Sequence, residues 1–81
     1  MIKPDPDVWY NKGITLDRLG KYEEAIECYD EALKINPNDE LIWHSKGVAL
    51  VFLGKYEEAI KCYDKAQELK PSDKKNKKSM D

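Results

Sequence analysis

Few residues of this chain could do chemistry, and none of them has the neighbours that such chemistry needs. The 81 residues contain one histidine, His44, and two cysteines, Cys28 and Cys62. A metal site needs several ligands at a suitable spacing, and a catalytic nucleophile needs a base beside it. His44 has no second histidine and no nearby nucleophile. We therefore expect no catalytic site, no metal and no cofactor, and the protein is not expected to be an enzyme.

The cysteines and the paired acidic residues have structural explanations. Cys28 and Cys62 take the same position in two segments that are 34 residues apart. Packed helices lie ~8–10 Å apart, whereas a disulfide needs Cα atoms within ~7 Å, so buried or half-buried thiols are predicted. The pairs Glu23-Glu24 and Glu57-Glu58 open predicted helices, where carboxylates favour the positive end of the helix dipole.

Composition excludes several classes of function. The net charge is −2, so no overall positive field favours nucleic acid, and the lysine run at 74–78 lacks interleaved aromatic residues. No apolar run reaches the ~20 residues that span a membrane. The N-terminus lacks the apolar stretch of a secretory signal, and two cysteines are too few for a disulfide framework. We expect a cytoplasmic protein that binds neither membranes nor nucleic acid.

The elements that position these residues follow from an internal repeat. Residues 6–39 and 40–73 share 18 identical positions out of 34, and the block Leu-Gly-Lys-Tyr-Glu-Glu-Ala-Ile occurs intact at 19–26 and 53–60. Repeats of this length are typical of stacked structural units.

Each repeat has the apolar spacing of two helices. The predicted helices are 7–19, the segment from Tyr22 to the stop at Asn36-Pro37, 40–53, and 56–69. Val8, Trp9, Leu16 and Leu19 fit one face of the first helix, which predicts its core side. Glycine and alanine positions such as Gly13 and Ala25 are predicted to let two helices approach closely. Asp39 or Asn38 can cap the third helix.

The repeated residues resemble the tetratricopeptide repeat. The signature is found twice in register, as Trp-x-x-x-Gly-x-x-Leu, then Gly-x-Tyr-x-x-Ala-x-x-x-Tyr-x-x-Ala, then Pro. One departure is that Lys12 and Lys46 stand where the family usually has leucine. The resemblance implies an all-α, right-handed solenoid of two repeats and four antiparallel helices. The predicted organisation is a lead-in at 1–5, repeats at 6–39 and 40–73, and a frayed or disordered lysine-rich tail at 74–81.

The resemblance also implies a function. Proteins of this family are usually interaction scaffolds, in which the first helices of the repeats line a concave groove that takes an extended peptide or a helix. The first helix of the second repeat is apolar nearly all round, which predicts cover on both sides. The residues predicted to line the groove are Tyr10, Ile14, Asp17, Leu41, His44, Val48, Val51 and Phe52.

Two questions stay open at this stage. Val51 and Phe52 could instead pack against the turn before helix 56–69. The partner could be an apolar segment of another protein or a second copy of this chain. Self-association would cover the face of an end repeat that a neighbouring repeat would otherwise cover. Leu33 of the first repeat is predicted to pack onto the second repeat, whereas its counterpart Gln67 can face water. Glu27 and Glu31 become Lys61 and Lys65, which could favour head-to-tail contact between copies.

Overall fold

Four α-helices joined by tight turns make up the described part of the protein. The computed structural model describes residues 5–70; the predicted tail at 74–81 and most of the lead-in lie outside this range. The helices are α1 (Pro6–Arg18), α2 (Tyr22–Ile35), α3 (Glu40–Phe52) and α4 (Tyr56–Glu68). Residues 5–70 contain no strand. The predicted all-α architecture is confirmed.

The helix ends follow from local sequence. Asp5 and Asp39 cap α1 and α3, and each carboxylate accepts a hydrogen bond from a backbone N–H two residues later. Asp39, rather than Asn38, is therefore the cap of α3. Gly20 and Gly54 follow α1 and α3 with φ of 81° and 80°, a left-handed conformation that glycine adopts without steric cost. The two glycines turn the chain back, so that α1 and α2 form one antiparallel hairpin and α3 and α4 form another.

Within each hairpin, a tyrosine packs directly on a glycine. A Cβ atom on Gly13 would lie 2.5 Å from Cε1 of Tyr29, and one on Gly47 would lie 2.7 Å from Cε1 of Tyr63. At both positions an added Cβ would require the tyrosine ring to shift. Ala25 and the other repeated alanines are buried beside them, which confirms the predicted close approach of the helices.

The two hairpins join where α3 packs on α2. The buried residues of this junction form one cluster with the first hairpin: Ala25, Tyr29, Ala32, Leu33, Ile42 and Ala49. Leu33 packs toward the second repeat as predicted, whereas its counterpart Gln67 is exposed. A smaller cluster around Leu50 fills the second hairpin.

One prediction about the core is wrong. Val8 and Leu19 were expected on the core side of α1, but their exposed fractions are 64% and 66%. Their counterparts in α3 are Ile42, which is 1% exposed, and the half-buried Leu53. These positions of a first helix face the preceding repeat rather than its own hairpin, and the described residues include no repeat before α1.

Candidate protein-interaction surface

The predicted groove residues of α3 lie on one face of that helix. At 100° per residue, positions 41, 44, 48, 51 and 52 fall within about a third of the circumference. Leu41, Val51 and Phe52 are exposed by 60%, 37% and 63%, and Val48 is half-buried. Large apolar side chains are thus accessible along the length of α3, although this helix also supplies core residues from its other sides.

The predicted groove residues of α1 are more polar than those of α3, and they make more contacts with the rest of the protein. Tyr10 and Ile14 are half-buried and pack on the core cluster. The hydroxyl of Tyr10 lies 3.1 Å from Oγ of Ser45, and either group can donate this hydrogen bond. This contact joins α1 to α3 and brings the predicted residues of the two helices onto one continuous surface, which we call the α1/α3 face.

Asp17, which was predicted to line the groove, also has a structural role. Its Oδ2 accepts a hydrogen bond of 2.9 Å from the hydroxyl of the fully buried Tyr29. Burial and this bond to a carboxylate raise the pKa of Tyr29 well above its usual range. Val51 takes the position of Asp17 in the second repeat, so the Tyr63 hydroxyl has no carboxylate at the equivalent place.

Phe52 packs in a way that the sequence did not indicate. Its ring stacks on Tyr22 with a centroid distance of 4.9 Å and an interplanar angle of 4°. Tyr22 is the first residue of α2, so Phe52 contacts the first hairpin. A 63% exposed fraction leaves most of the Phe52 side chain accessible. Tyr22 therefore extends the apolar surface at its α2 edge.

The opposite edge of the α1/α3 face opens into a cavity at the end of the second repeat. The cavity has a volume of about 400 Å³ and is lined by Glu40, Leu41, His44, Tyr63, Ala66, Gln67 and Lys70. The His44 ring lies 5.4 Å from the Tyr63 ring. One carboxylate oxygen of Glu40 is buried without a hydrogen-bond partner among residues 5–70. Leu41 and His44 therefore border both the predicted groove and this end cavity.

The lysines that depart from the family pattern have a packing explanation. Nζ of Lys46 lies 5.6 Å from the centre of the Trp43 ring and 2.6 Å from Oδ1 of Asp30. Lys12 lies over Trp9 in the same way, at 5.5 Å. A lysine can cover an aromatic ring with its stem and keep its charge at the edge of the protein. The bridge from Lys46 to Asp30 crosses from α3 to α2, which no pattern within one repeat could indicate.

The described residues offer no geometry for a metal centre. Residues 5–70 include no group of three or more His, Cys, Asp or Glu side chains placed to hold a metal ion. Cys28 and Cys62 are buried free thiols, as predicted. Burial raises the pKa of both thiols, although Lys12 and Lys46 act in the opposite direction. Neither cysteine has the low pKa of a reactive thiolate.

The tetratricopeptide repeat profile matches residues 6–39 and 41–73. This chain belongs to the tetratricopeptide repeat family. Such repeats generally mediate protein–protein interactions and are generally non-enzymatic scaffolds. Within the described range, no helix has the length and apolar character to cross a membrane.

Two relatives that are similar in sequence are considerably longer than this chain. A TPR repeat-containing protein of Methanocaldococcus jannaschii is 46% identical over 36 residues, which is 44% of this chain and 11% of that protein. The general transcriptional corepressor ssn6 of Schizosaccharomyces pombe is 44% identical over 36 residues, which is 44% of this chain and 3% of that protein.

Solved structures of MamA share the fold. A crystal structure of MamA aligns with a TM-score of 0.80 and 31% identity, covering 86% of this chain and 41% of MamA. A mutant of MamA aligns with a TM-score of 0.79 and 32% identity, covering 80% of this chain and 47% of that one. The chain therefore spans less than half the length of the structures that it matches.

Proposed function

We propose that this protein is a binding module that holds an apolar or aromatic segment of a partner protein on the α1/α3 face. The observation that carries the proposal is the exposed apolar face of α3, where Leu41, Val51 and Phe52 are accessible together. An apolar patch of this kind on a small domain is a common feature of interaction sites. We further propose that it works in the cytoplasm, a location favoured by the free thiols at Cys28 and Cys62.

The chemistry of the face indicates what the partner segment must supply. Burial of apolar area contributes about 25 cal/mol per Å² before the cost of ordering the partner. Leu41, Val48 and Phe52 favour leucine, phenylalanine or similar side chains at helical or extended spacing. The hydroxyls of Tyr10 and Ser45 lie between α1 and α3, where they can also bond to a partner backbone.

A peptide display selection tests this proposal even though the natural partner is unidentified. Random peptides are selected on the 81-residue chain, and their affinities are then measured for the Leu41→Asp/Val48→Asp variant. We expect the selected peptides to be rich in apolar and aromatic residues, and their affinity for this variant to fall by roughly tenfold or more, because two charges interrupt the apolar contact.

The control is Ile60→Asp, which places one of the two negative charges of the test variant on an exposed apolar position of α4, away from the α1/α3 face. This variant should bind the peptides as tightly as the unaltered chain. Circular dichroism shows whether each variant remains folded. Equal affinity for the unaltered chain and a folded Leu41→Asp/Val48→Asp variant would refute the assignment of the groove.

Self-association is a second candidate function. The end cavity beside Tyr63 and Gln67 supports it, since this apolar concavity occupies the place in the second repeat that α3 covers in the first. Either the α1/α3 face or this end could then contact another copy. The two possibilities differ in geometry, because pairing of identical faces gives a closed dimer, whereas contact between unlike faces gives open growth.

A further inference from the structure

We propose that copies of this chain associate head to tail, with α1 of one copy docking against the α4 end of the next as α3 docks on α2 inside the chain. The inference specifies the second candidate of the proposed function, and it does not depend on peptide binding to the α1/α3 face. The occupant of the end cavity is then a second copy of this protein.

The internal junction between α2 and α3 supplies the template. Three kinds of contact hold it. They are the ion pair of Lys46 with Asp30, the stacked rings of Phe52 and Tyr22, and the packing of Ile42 and Ala49 beside Leu33 and Tyr29. Each residue has a counterpart 34 positions away, on the outer side of α1 or of α4.

The ion pair has an intact counterpart. Lys12 corresponds to Lys46 and Asp64 corresponds to Asp30, and both Lys12 and Asp64 are exposed. Lys12 lies over Trp9 at 5.5 Å, against 5.6 Å for Lys46 over its own tryptophan. The ammonium group is therefore already held in the position from which Lys46 reaches its carboxylate. A junction built on the internal plan brings Lys12 of one copy to Asp64 of the other.

The aromatic stack has a chemically matched counterpart. Tyr56 corresponds to Tyr22 and has an exposed fraction of 62%. Arg18, also exposed, stands where α3 has Phe52. A guanidinium group is planar and stacks on tyrosine faces. Arg18 of one copy can thus cover Tyr56 of the next, as Phe52 covers Tyr22 within the chain.

The apolar contacts have counterparts that are unusually exposed. Leu53 and Ile26 border one surface pocket of the internal junction. Their counterparts are Leu19, with an exposed fraction of 66%, and Ile60, with 56%. Val8 stands in α1 where the buried Ile42 stands in α3, and its exposed fraction is 64%. Head-to-tail contact would remove all three of these apolar side chains from water.

Charges along the outer helices favour the same arrangement. Glu27 and Glu31 of α2 correspond to Lys61 and Lys65 of α4. At the internal junction, Glu27 of α2 and Glu58 of α4 border the same surface pocket. Between copies, their counterparts Lys61 and Glu24 would border the equivalent pocket with opposite charges. Opposite charges on the two faces promote association and set its orientation.

Two replacements make this junction weaker than the internal one. Gln67 stands where Leu33 packs, and Thr15 stands where Ala49 packs. The Thr15 hydroxyl donates to the backbone oxygen of Asn11, so it needs no partner across the junction. Gln67 loses apolar contact and must be desolvated. Association is therefore expected to depend on concentration and to grow beyond a dimer, since the two faces are different.

Sedimentation velocity of the 81-residue chain across micromolar to millimolar concentrations tests the proposal. We expect the average mass to rise past that of a dimer without a plateau. Leu19→Asp and Ile60→Asp should each weaken association by roughly tenfold, because a charge replaces a buried apolar contact. Gln67→Leu should strengthen association, and the gain should disappear when it is combined with Leu19→Asp.

A charge exchange identifies the pairing itself. Lys12→Glu and Asp64→Lys should each weaken association by roughly fivefold, since each places like charges opposite one another. An equimolar mixture of the two variants should recover assembly, because every junction in an alternating chain then joins opposite charges. Lys34→Glu, an equal change of charge on an exposed position of α2, is the control and should associate like the unaltered chain.

Three results would overturn the proposal. They are a monomer at every concentration, a mass that stops at the dimer, and a mixture of the charge variants that associates no better than either alone. Circular dichroism confirms that the variants fold. Peptide binding to the α1/α3 face is measured separately with Ile60→Asp, so failure of head-to-tail assembly and failure of groove binding are told apart.

Discussion

At the scale of single residues, two glycine–tyrosine contacts set the distance between the helices of each hairpin. Both contacts join a tyrosine ring to a glycine, but the two rings differ in how far they can move. Tyr29 is fully buried under α3, whereas Tyr63 is half-buried beside the end cavity. A ring that is surrounded on all sides cannot move aside for an added methyl group, but a ring beside open space can.

This difference predicts unequal effects of the same substitution. Overpacking against Tyr29 should cost about 3 kcal/mol, and alanine gains about 1 kcal/mol in helix propensity, so Gly13→Ala should lower the free energy of unfolding by about 2 kcal/mol. Gly47→Ala should change it by less than about 1 kcal/mol, because Tyr63 can rotate toward the cavity. Urea unfolding measures both. Equal losses would contradict the packing that we describe.

Tyr29 also predicts a pH dependence. Tyr29→Phe removes the hydrogen bond to Asp17 and should cost about 1 kcal/mol at neutral pH. The pKa of Tyr29 is raised in the folded protein, so the unfolded chain ionises first, near pH 10. The contribution of Tyr29 is complete below that pH and falls by up to about 1.4 kcal/mol per pH unit above it.

Unfolding of the two proteins in urea at pH 7, 9 and 11 measures this dependence. The stability difference between the unaltered chain and Tyr29→Phe should be constant between pH 7 and 9 and should shrink at pH 11. Tyr63→Phe is the matched control, and it should show a smaller difference at neutral pH. A difference that grows between pH 9 and 11 would show that the Tyr29 hydroxyl is not buried as described.

At the scale of elements, α3 is the helix that connects the two hairpins and also carries the exposed apolar face. It packs on α4 within its hairpin, on α2 across the junction, and it still presents an apolar face to solvent. Its start is fixed by two hydrogen bonds, from Leu41 N to the Asp39 carboxylate and from Trp43 Nε1 to the Pro37 carbonyl. The second bond ties the loop between the repeats to the helix that follows it.

The cap of α3 predicts a further asymmetry. Asp39→Ala should lower the free energy of unfolding by about 1 kcal/mol, because an N–H group of the first turn loses its acceptor. Asn38→Ala should change it by less than about 0.5 kcal/mol, since the Asn38 side chain makes no capping bond. Thermal unfolding followed by circular dichroism compares the two. Similar losses would mean that the cap is shared.

The sequence predicted the helices well because each signal for them is local. These signals are the apolar spacing, the turn glycines and the prolines. Each acts within one repeat and occurs in both repeats. The exposure of Val8 could not be predicted in that way. Val8 takes the same position in α1 as the buried Ile42 takes in α3, so the apolar spacing is the same in both helices. This position is covered only when another repeat precedes the helix.

The same limit explains what was missed in the candidate site. The stack of Phe52 on Tyr22 and the bridge from Lys46 to Asp30 cross between hairpins. Such contacts depend on the angle between the two repeats, which spacing along the chain does not specify. The α3 face itself was predictable, since apolar residues on every side of a helix exceed what its core side can bury.

At the scale of the whole molecule, two repeats join, and within residues 5–70 the outer sides of α1 and α4 expose Val8, Leu19, Tyr56 and Ile60. A solenoid gains stability from each junction between neighbouring repeats, and the described residues contain one such junction. Within residues 5–70, these outer sides are distinct from the α1/α3 face, and Leu41 and His44 border both that face and the end cavity. The two proposed interactions, with a partner segment and with another copy, would therefore use different surfaces.

The most direct test of the central claim is an NMR titration of the ¹⁵N-labelled chain with a peptide obtained from the display selection. The account predicts that the largest shifts in amide resonances occur at Ile14, Val48 and Phe52, along α1 and α3. Ile60 and Asp64 on the outer side of α4 should change little. Shifts concentrated on α4, with α1 and α3 unaffected, would contradict the claim that the α1/α3 face is the binding surface.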